Sequence, residues 1–196
     1  MNKNVLIKEL GYIQDIKIHE WTAKTLQNAP DYFFTASASS TGKYHPPCTL
    51  GEGGLIVHVQ RAVFFANRLC SGQGVVGRNR DIVLSATILH DIAKTGQGSG
   101  AYSDYVNHPI NAIKYLYGVI VDGTTLKTTN AGLDLGSIVE IYDCIRFHMT
   151  LWSPENIKKP IEHYTQLELI VGTADYLAAT KEVITPEDGK RTESGK

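Results

Sequence analysis

Apolar residues recur every three to five positions along most of the chain, and this spacing predicts amphipathic helices. The first segment covers residues 5–27 and is either one helix or two helices broken near Gly11. It should end in the polar stretch 28–31, which contains Pro30. The Ser-, Thr-, Gly- and Pro-rich sequence over residues 35–54 then predicts a long irregular loop, of the kind that often carries function.

Helical spacing returns in five later segments, each of which should form one helix. They are 55–69, 81–94, 107–123, 135–149 and 166–180. Asp81 and Asn107 are suitable N-caps, and Pro109 fits a first turn. The sequence shows no internal repeat and no pair of alternating strands. It therefore predicts an all-α fold, a single-domain helical bundle of six or seven helices.

Length and composition point to one compact domain. The 196 residues can bury a full core but are few for two domains. We expect residues 1–34 to form an N-terminal helical segment packed on the core, 35–182 to form the core, and 183–196 to form a polar, disordered tail. The three cysteines are widely spaced, without the pattern of a zinc ribbon or a disulfide framework.

Charge and hydropathy restrict the class of partner. Nineteen Lys and Arg against 20 Asp and Glu give a net charge of -1, which disfavours long nucleic acid as a ligand. No apolar run approaches the roughly 18 to 20 residues that a membrane span needs, and the N-terminus lacks the apolar region of a secretory signal. A cytoplasmic location without membrane contact is therefore expected.

Four histidines and two aspartates occupy comparable places on five predicted helical elements. They are His58, His90, Asp91, His108, His148 and Asp175. Most are flanked by apolar residues, as in GLIVHVQRAV and ILHDIAK, and buried polar groups need partners that offset their desolvation. A divalent cation is such a partner for imidazole and carboxylate groups. A lone buried His or Asp is more often a hydrogen-bonded core residue, so the metal interpretation depends on all six occurring together.

Lys94 follows the His90-Asp91 pair by one helical turn. Its ammonium group could therefore reach an anionic group held beside that pair, and Asp91 and Lys94 are the candidate catalytic residues. The alternative is a solvated Lys at a helix C-terminus, where the helix dipole favours positive charge.

Further candidates for substrate binding lie in the loop SSTGKYHPP and on the predicted helices. Lys43 or His45 could bind phosphate and Tyr44 could stack on a base, although a Gly-Lys step is often only a turn. Arg61 and Arg146 are additional candidates because each lies within one turn of a predicted ligand. The two remaining histidines, His19 and His163, are interpreted as surface or packing residues.

The order of the six candidate ligands, with the phrases GEGGLIVHVQRA, ILHDIAK and TADYLA, resembles the HD-domain phosphohydrolases in their two-metal form. The resemblance covers residues 35–182. It implies one divalent ion held by His58, His90, Asp91 and Asp175. It also implies a second ion that shares Asp91 and is held by His108 and His148.

The chain departs from the family pattern at one position. Many relatives have adjacent histidines where this sequence has Phe147 before His148, which argues against a three-metal site. Asp143 is the alternative ligand if Asp175 is structural. The ligand types suit Mn, Fe, Co, Ni, Zn or Mg and do not choose among them.

The resemblance implies hydrolysis of a phosphate ester in a nucleotide, a cyclic nucleotide or a short oligonucleotide by a metal-bound hydroxide. The expected partner is a small phosphorylated substrate. Two alternatives stay open, namely a di-iron oxygenase of the same family and a non-catalytic nucleotide-binding protein whose metal is structural. A homo-oligomer is also left open.

Overall fold

The computed structural model of the protein describes residues 4–94, 107–121, 132–186 and 188, with the backbone alone of residues 117–121. This part of the chain is all-α and forms a single domain with eight α-helices and no strand. The helices are α1 (Ile7–Leu10), α2 (Ile16–Gln27), α3 (Asp31–Thr35), α4 (Gly54–Gly72), α5 (Gly77–Leu89), α6 (His108–Val121), α7 (Leu135–Arg146) and α8 (Gln166–Ala179). Six of them are longer than one or two turns, which confirms the predicted fold class. Single 3₁₀ turns also occur at Pro47–Thr49, Thr150–Trp152 and Ile161–His163.

The N-terminal segment is broken after α1, as one of the two predicted forms required. The Asp15 side chain caps α2 by accepting hydrogen bonds from the backbone N–H groups of Lys17 and Ile18. The α2 helix buries Trp21 and ends at Gln27, directly before the polar stretch 28–31 in which its end was predicted. The short α3 was not predicted, because Pro30 ends one helix and also suits the position just before another.

The predicted start of the third long helix is wrong. Helix α5 begins at Gly77 and ends at Leu89, and His90 is its C-cap residue. Asp81 is therefore an interior residue of α5 and not its N-cap. Its buried carboxylate accepts hydrogen bonds from the backbone N–H groups of Gln14 and Asp15 and so ties α5 to the turn before α2.

The later helices begin where the sequence predicted. Asn107 precedes α6, Asp134 caps α7, and Thr165 forms a capping box with Glu168 at the start of α8. Helix α7 ends three residues earlier than predicted, and α8 ends one residue earlier. The predicted end of α6 at Gly123 lies outside the described residues.

Helices α4, α5 and α8 form the centre of the bundle. Helix α4 packs against α5 and α8, α5 also packs against α2, α7 and α8, and α6 packs against α7. Their facing surfaces are apolar, and the buried side chains include Val59, Val63, Ile82, Leu84, Ile88, Ile170 and Val171. None of the described helices has the length and apolar character that crossing a membrane would require.

Two glycines let loops approach the central helices closely. A Cβ at Gly54 would lie 2.0 Å from the carbonyl oxygen of Thr49, so the long loop can touch the start of α4 only because this residue is Gly. A Cβ at Gly172 would lie 2.7 Å from the carbonyl oxygen of His148, so the turn after α7 can lie directly on α8. Both contacts bring predicted site residues toward the centre of the bundle.

The described residues of the predicted tail, 183–186 and 188, include contacts with the core. Thr185 is buried, and Asp188 pairs with the buried Arg61 of α4. Positions 187 and 189–196 lie outside the described residues.

Candidate metal centre

The six predicted ligands converge where α4, α5, α6, α7 and α8 meet. His58 lies on α4, His90 and Asp91 follow α5, and His108 opens α6; His148 follows α7 and Asp175 lies on α8. Five of the six are buried, and the side chain of Asp175 is 24% exposed. Segments far apart in sequence thus place imidazole and carboxylate groups in one small volume.

A first group of ligand atoms comes from His58, His90, Asp91 and Asp175. The Nε2 atom of His58 lies 2.9 Å from Oδ1 of Asp175 and 3.6 Å from Oδ2 of Asp91. The Nε2 atom of His90 lies 3.4 Å and 3.3 Å from the same two oxygens. Each of the two imidazole nitrogens therefore lies within 3.6 Å of an oxygen of both carboxylates.

A second group lies on the other side of the Asp91 carboxylate. Its Oδ1 atom is 3.1 Å from Nε2 of His108, and that nitrogen is 2.9 Å from Nε2 of His148. Because Oδ2 belongs to the first group and Oδ1 to the second, Asp91 lies between the two. Its two oxygens therefore face different histidines.

The spacing of these atoms fits a metal ion. Ligands at about 2.1 Å from a cation are separated by roughly 3.0 Å in an octahedral site and roughly 3.4 Å in a tetrahedral site. The observed separations of 2.9–3.6 Å fall around these values. Two triads, His58–His90–Asp175 and His90–Asp91–His148, could each hold an ion, since their ligand atoms lie within 4.8 Å of one another.

Several of these buried atoms make no hydrogen bond to the described residues. They are Nδ1 and Nε2 of His58, Nε2 of His90 and Oδ1 of Asp91. Three of the four atoms lie within 3.6 Å of another ligand atom of the cluster, yet none of the four makes a hydrogen bond within the part of the chain that the structure describes. A buried polar atom without a hydrogen bond costs about 1–3 kcal/mol, so a compensating group is expected here. A cation between them would supply that compensation, and the residues therefore fit a metal.

Hydrogen bonds behind the cluster orient two of the imidazoles. Nδ1 of His90 lies 2.7 Å from the carbonyl oxygen of Thr87, and Nδ1 of His148 lies 2.7 Å from that of Ile145. A carbonyl can only accept, so Nδ1 carries the proton in both rings. In the neutral form, Nε2 of each ring then directs a lone pair into the cluster, as a metal ligand must.

The electrostatic field of the cluster favours a positive charge at its centre. Burial lowers the pKa of His90, but Asp91 and Asp175 outweigh it and raise that pKa to about 10. Burial, followed by the neighbouring His108 and His90, lowers the pKa of His148 to about 3, so this ring is neutral. The field that holds a proton on His90 would equally favour a divalent cation in its place.

The two carboxylates of the cluster stay ionised. Burial raises the pKa of Asp91, but Lys94 and His90 outweigh burial and hold it well below the usual range. Asp175 behaves in the same way because His58 and His90 lie beside it. The cluster therefore contains two anions, one buried and one at the wall of the cavity.

Lys94 contacts the cluster directly. Its Nζ atom lies 2.6 Å from Oδ2 of Asp91 and is largely buried. His45 lies nearby, with its ring centroid 5.4 Å from that of His58 and its Nδ1 atom buried without a hydrogen-bond partner among the described residues. Burial, with a contribution from His58, lowers the pKa of His45 to about 4.

A cavity of about 620 Å³ opens onto the cluster at His148 and Asp175. The predicted loop residues Lys43, Tyr44 and His45 line it, so the structure brings them beside the candidate ligands. Its volume lies within the range of sites for small molecules, about 300–1,000 Å³.

Trp152 and Tyr176 also line this cavity, and sequence reasoning missed them. Their positions held a usable signal, because Tyr176 follows Asp175 directly and Trp152 lies four residues after His148.

The structure does not bring the two predicted arginines into the cavity. Arg61 is completely buried and points toward the chain after α8, where it donates hydrogen bonds to the carbonyl oxygens of Ala178, Thr180 and Val183. Arg146 is exposed and lies over the ring of Phe147. Each therefore has a partner away from the cluster.

Asp143, the alternative ligand, also lies apart from both triads. Its carboxyl pKa is raised by burial and by Glu168. Asp175, for which Asp143 was the alternative, belongs to one of the triads that could hold an ion. The other two histidines, His19 and His163, belong to neither triad.

Comparisons of the chain with protein-family models, with curated proteins and with solved structures find no match. The described geometry gives an all-helical protein with buried His and Asp clusters that could hold a metal ion.

Proposed function

We propose that this protein is a metal-dependent phosphohydrolase that acts on a small phosphorylated substrate of the nucleotide class. The observation that carries the proposal is the buried set of His and Asp side chains, in which the two carboxylate oxygens of Asp91 face different histidines and two triads that share His90 could each hold an ion. The cavity of about 620 Å³ lies beside this set. The resemblance to the two-metal HD-domain phosphohydrolases supports the same reaction.

One or two divalent ions would be held by His58, His90, Asp91 and Asp175, and by Asp91, His108 and His148. Such ions lower the pKa of a bound water and neutralise phosphate charge. The chain's own contribution is to fix the ligand geometry. The carbonyl oxygens of Thr87 and Ile145 hold the rings of His90 and His148 in the required tautomer.

Lys94 would act on phosphate from its position against Asp91. Its ammonium group already lies against a carboxylate at the cluster, so an anionic oxygen entering beside Asp91 would meet the same positive charge. Lys43, at the cavity wall, adds a second cation farther from the cluster. Both would bind and orient the substrate.

The cavity favours a small substrate over a polymer. About 620 Å³ accommodates a nucleotide or a dinucleotide, and the net charge of -1 offers no extended basic surface for a long phosphate backbone. Nucleoside phosphates, cyclic nucleotides and the end of a short oligonucleotide are therefore the substrates to test.

The test combines metal analysis with a substrate screen. The protein is loaded separately with Mn²⁺, Fe²⁺, Co²⁺, Ni²⁺, Zn²⁺ and Mg²⁺, and the bound metal is measured after dialysis. Phosphate or nucleotide release is then followed from nucleoside mono- and triphosphates, cyclic mono- and dinucleotides and a short RNA. Asp91→Ala should lose both metal and turnover, because it removes the carboxylate shared by the two groups.

Asp143→Ala is the matched control, because Asp143 was the alternative ligand by sequence and lies outside both triads. It should keep metal and activity. Full activity in Asp91→Ala would refute the proposal. Oxygen consumption by the iron form without phosphate release would instead favour an oxygenase, and nucleotide binding without turnover a non-catalytic role.

A further inference from the structure

Two aromatic rings stack on each other at the wall of the cavity. Trp152 belongs to the 3₁₀ turn Thr150–Trp152 and Tyr176 to α8. Their ring centroids are 5.1 Å apart, and their planes differ by 14°. Trp152 is nevertheless 61% exposed and Tyr176 is 52% exposed, so much of each ring stays open to solvent. Large aromatic side chains usually gain stability by burial, and this pair forgoes part of that gain.

The turn that carries Trp152 has an unfavourable backbone conformation. Thr150 has φ of 45°, and among the described residues it is the one non-glycine residue with positive φ. Such backbone conformations are energetically unfavourable, and they concentrate at functional sites. Gly172 supports the same turn, because a Cβ there would lie 2.2 Å from Cγ2 of Thr150. The chain thus holds the Trp152 turn directly against α8.

This placement sets the rings beside the candidate metal ligands. Tyr176 directly follows Asp175 on α8, and Trp152 lies four residues after His148. These four residues line the same cavity. A molecule with its phosphate at the cluster would therefore extend the remainder of its structure along the stacked rings.

The chemistry of the wall fits a nucleobase. A flat pair of stacked rings presents a face on which another flat ring can stack, and any of the nucleobases can do so. Tyr44, which is also exposed, lines the same cavity, and Lys43 lies 5.1 Å from the centroid of its ring. Lys43 thus places a positive charge near an aromatic surface. A nucleotide needs both, because its phosphate is anionic and its base is a flat ring.

We propose that Trp152 and Tyr176 form a stacking platform for the base of the substrate. The aromatic base is then required for tight binding, and sugar phosphates without a base are poor ligands. The placement of the phosphate rests on the function proposed above, whereas stacking of the base on Trp152 can be measured without any hydrolysis.

The test compares adenosine with ribose as ligands, by calorimetry and by tryptophan fluorescence. Adenosine has no phosphate to lose, so its binding is read whether or not the protein is a hydrolase. The chain contains two tryptophans, and Trp21 is buried in the core, so quenching by adenosine reports on Trp152. We expect Trp152→Leu to weaken adenosine binding about tenfold, which is a typical loss when stacking with one base is removed.

Trp152→Phe is the matched variant. It should keep the calorimetric affinity for adenosine because it keeps an aromatic face, yet lose the fluorescence change because Trp152 is gone. Ribose should bind to none of the three proteins. Equal adenosine affinity in wild type and Trp152→Leu would overturn the proposal, as would the absence of saturable adenosine binding.

Turnover separates this inference from the proposed function. In the metal-loaded protein, Trp152→Leu should raise the KM for adenosine 5′-monophosphate about tenfold with kcat little changed, since stacking is made before and during the reaction. Binding of adenosine through Trp152 without any phosphate release would refute the hydrolase and leave the platform standing. Equally rapid hydrolysis of ribose 5-phosphate and adenosine 5′-monophosphate would refute the platform alone.

Discussion

At the scale of single residues, Asp91 is a buried carboxylate surrounded by imidazole groups and one ammonium group. Its two carboxylate oxygens face different groups of histidines, and Oδ2 also carries the ion pair with Lys94. A buried carboxylate is costly unless cations or hydrogen bonds surround it. Lys94 partly satisfies that need, which raises the question of whether it serves Asp91 or the substrate.

Lys94→Ala separates these roles. If Lys94 binds phosphate, the variant should keep its metal and lose turnover by about a hundredfold, as when a single donor to a developing negative charge is removed. Metal content should not fall, because no proposed ligand is altered and one competing positive charge is removed. Bound metal and kcat, measured on the same preparation, check this expectation.

Lys17→Ala is the control, since Lys17 is an exposed residue of α2. It should match the wild type in metal content and turnover. Loss of metal in Lys94→Ala would show that Lys94 maintains the cluster, and it would contradict the substrate role.

Sequence alone could identify the six converging side chains because each is polar where its neighbours are apolar. His58 within GLIVHVQRAV and Asp175 within IVGTADYLA are examples. Burial forces such residues to find partners, so their joint presence predicts a shared one. The direction of Arg61 could not be predicted, because its partner Asp188 lies 127 residues away in the sequence.

At the scale of elements, side-chain caps helped to place the starts of some helices. Helices α7 and α8 have capping side chains at Asp134 and Thr165, and both starts were predicted correctly. Helix α5 has no side-chain cap at Val76, and the nearby Asp81 was taken for one. Its carboxylate serves a different element, which only the tertiary structure reveals.

Gly172→Ala tests the contact between α8 and the turn after α7. The added Cβ would overlap the backbone oxygen of His148, and the turn must move to make room. We expect a loss of about 1–3 kcal/mol in the free energy of unfolding, typical of overpacking, together with weaker metal binding because His148 moves. Denaturant unfolding and metal titration measure the two effects.

Gly72→Ala is the matched change at the end of α4, where a Cβ would meet nothing within 4 Å. It should leave stability unchanged or slightly higher, since Ala favours the helix. If Gly172→Ala and Gly72→Ala have the same free energy of unfolding and the same metal affinity, the close approach at Gly172 does not stabilise the contact between α8 and the turn after α7.

The ion pair between Arg61 and Asp188 ties the chain after α8 back to α4. Burial raises the pKa of Asp188, but hydrogen bonds from Arg61 and from the N–H of Thr185 outweigh it and lower the pKa. Asp188→Asn should reduce the free energy of unfolding at pH 7 by about 1 kcal/mol, the difference between a charged and a neutral hydrogen bond.

The pH dependence follows from the sign of that shift. Because folding lowers the pKa of Asp188, its stabilisation is present above the unfolded value of about 3.9 and is lost as the pH falls through the folded value. The difference in the free energy of unfolding between the wild type and Asp188→Asn should therefore become smaller below about pH 4. Glu155→Gln changes a side chain that is 92% exposed. It should have the same free energy of unfolding as the wild type, both at pH 7 and below about pH 4.

At the scale of the whole molecule, the candidate metal centre connects segments that are distant in sequence. Its candidate ligands span residues 58 to 175 and lie on, or directly after, all of the long helices except α2. A group that joins these elements in the folded state, and finds no such site in the unfolded chain, must stabilise the entire domain. Local features of the sequence predict the individual helices. The dependence of the stability of the whole domain on a bound metal follows only from the convergence of the ligands.

Metal addition should therefore raise the thermal midpoint. At a free concentration of about 100 times Kd, an ion that binds only the folded state adds about 2.7 kcal/mol. At roughly 2–4 °C per kcal/mol for a domain of this size, the Tm should rise by about 5–10 °C, and a chelator should reverse the rise. Asp91→Ala should abolish this shift and Asp143→Ala should retain it, because only Asp91 belongs to the cluster. If Lys94 and protonated His90 already neutralise Asp91 and Asp175 as a closed ion-pair network, the metal would have no site, and the wild-type Tm would not move.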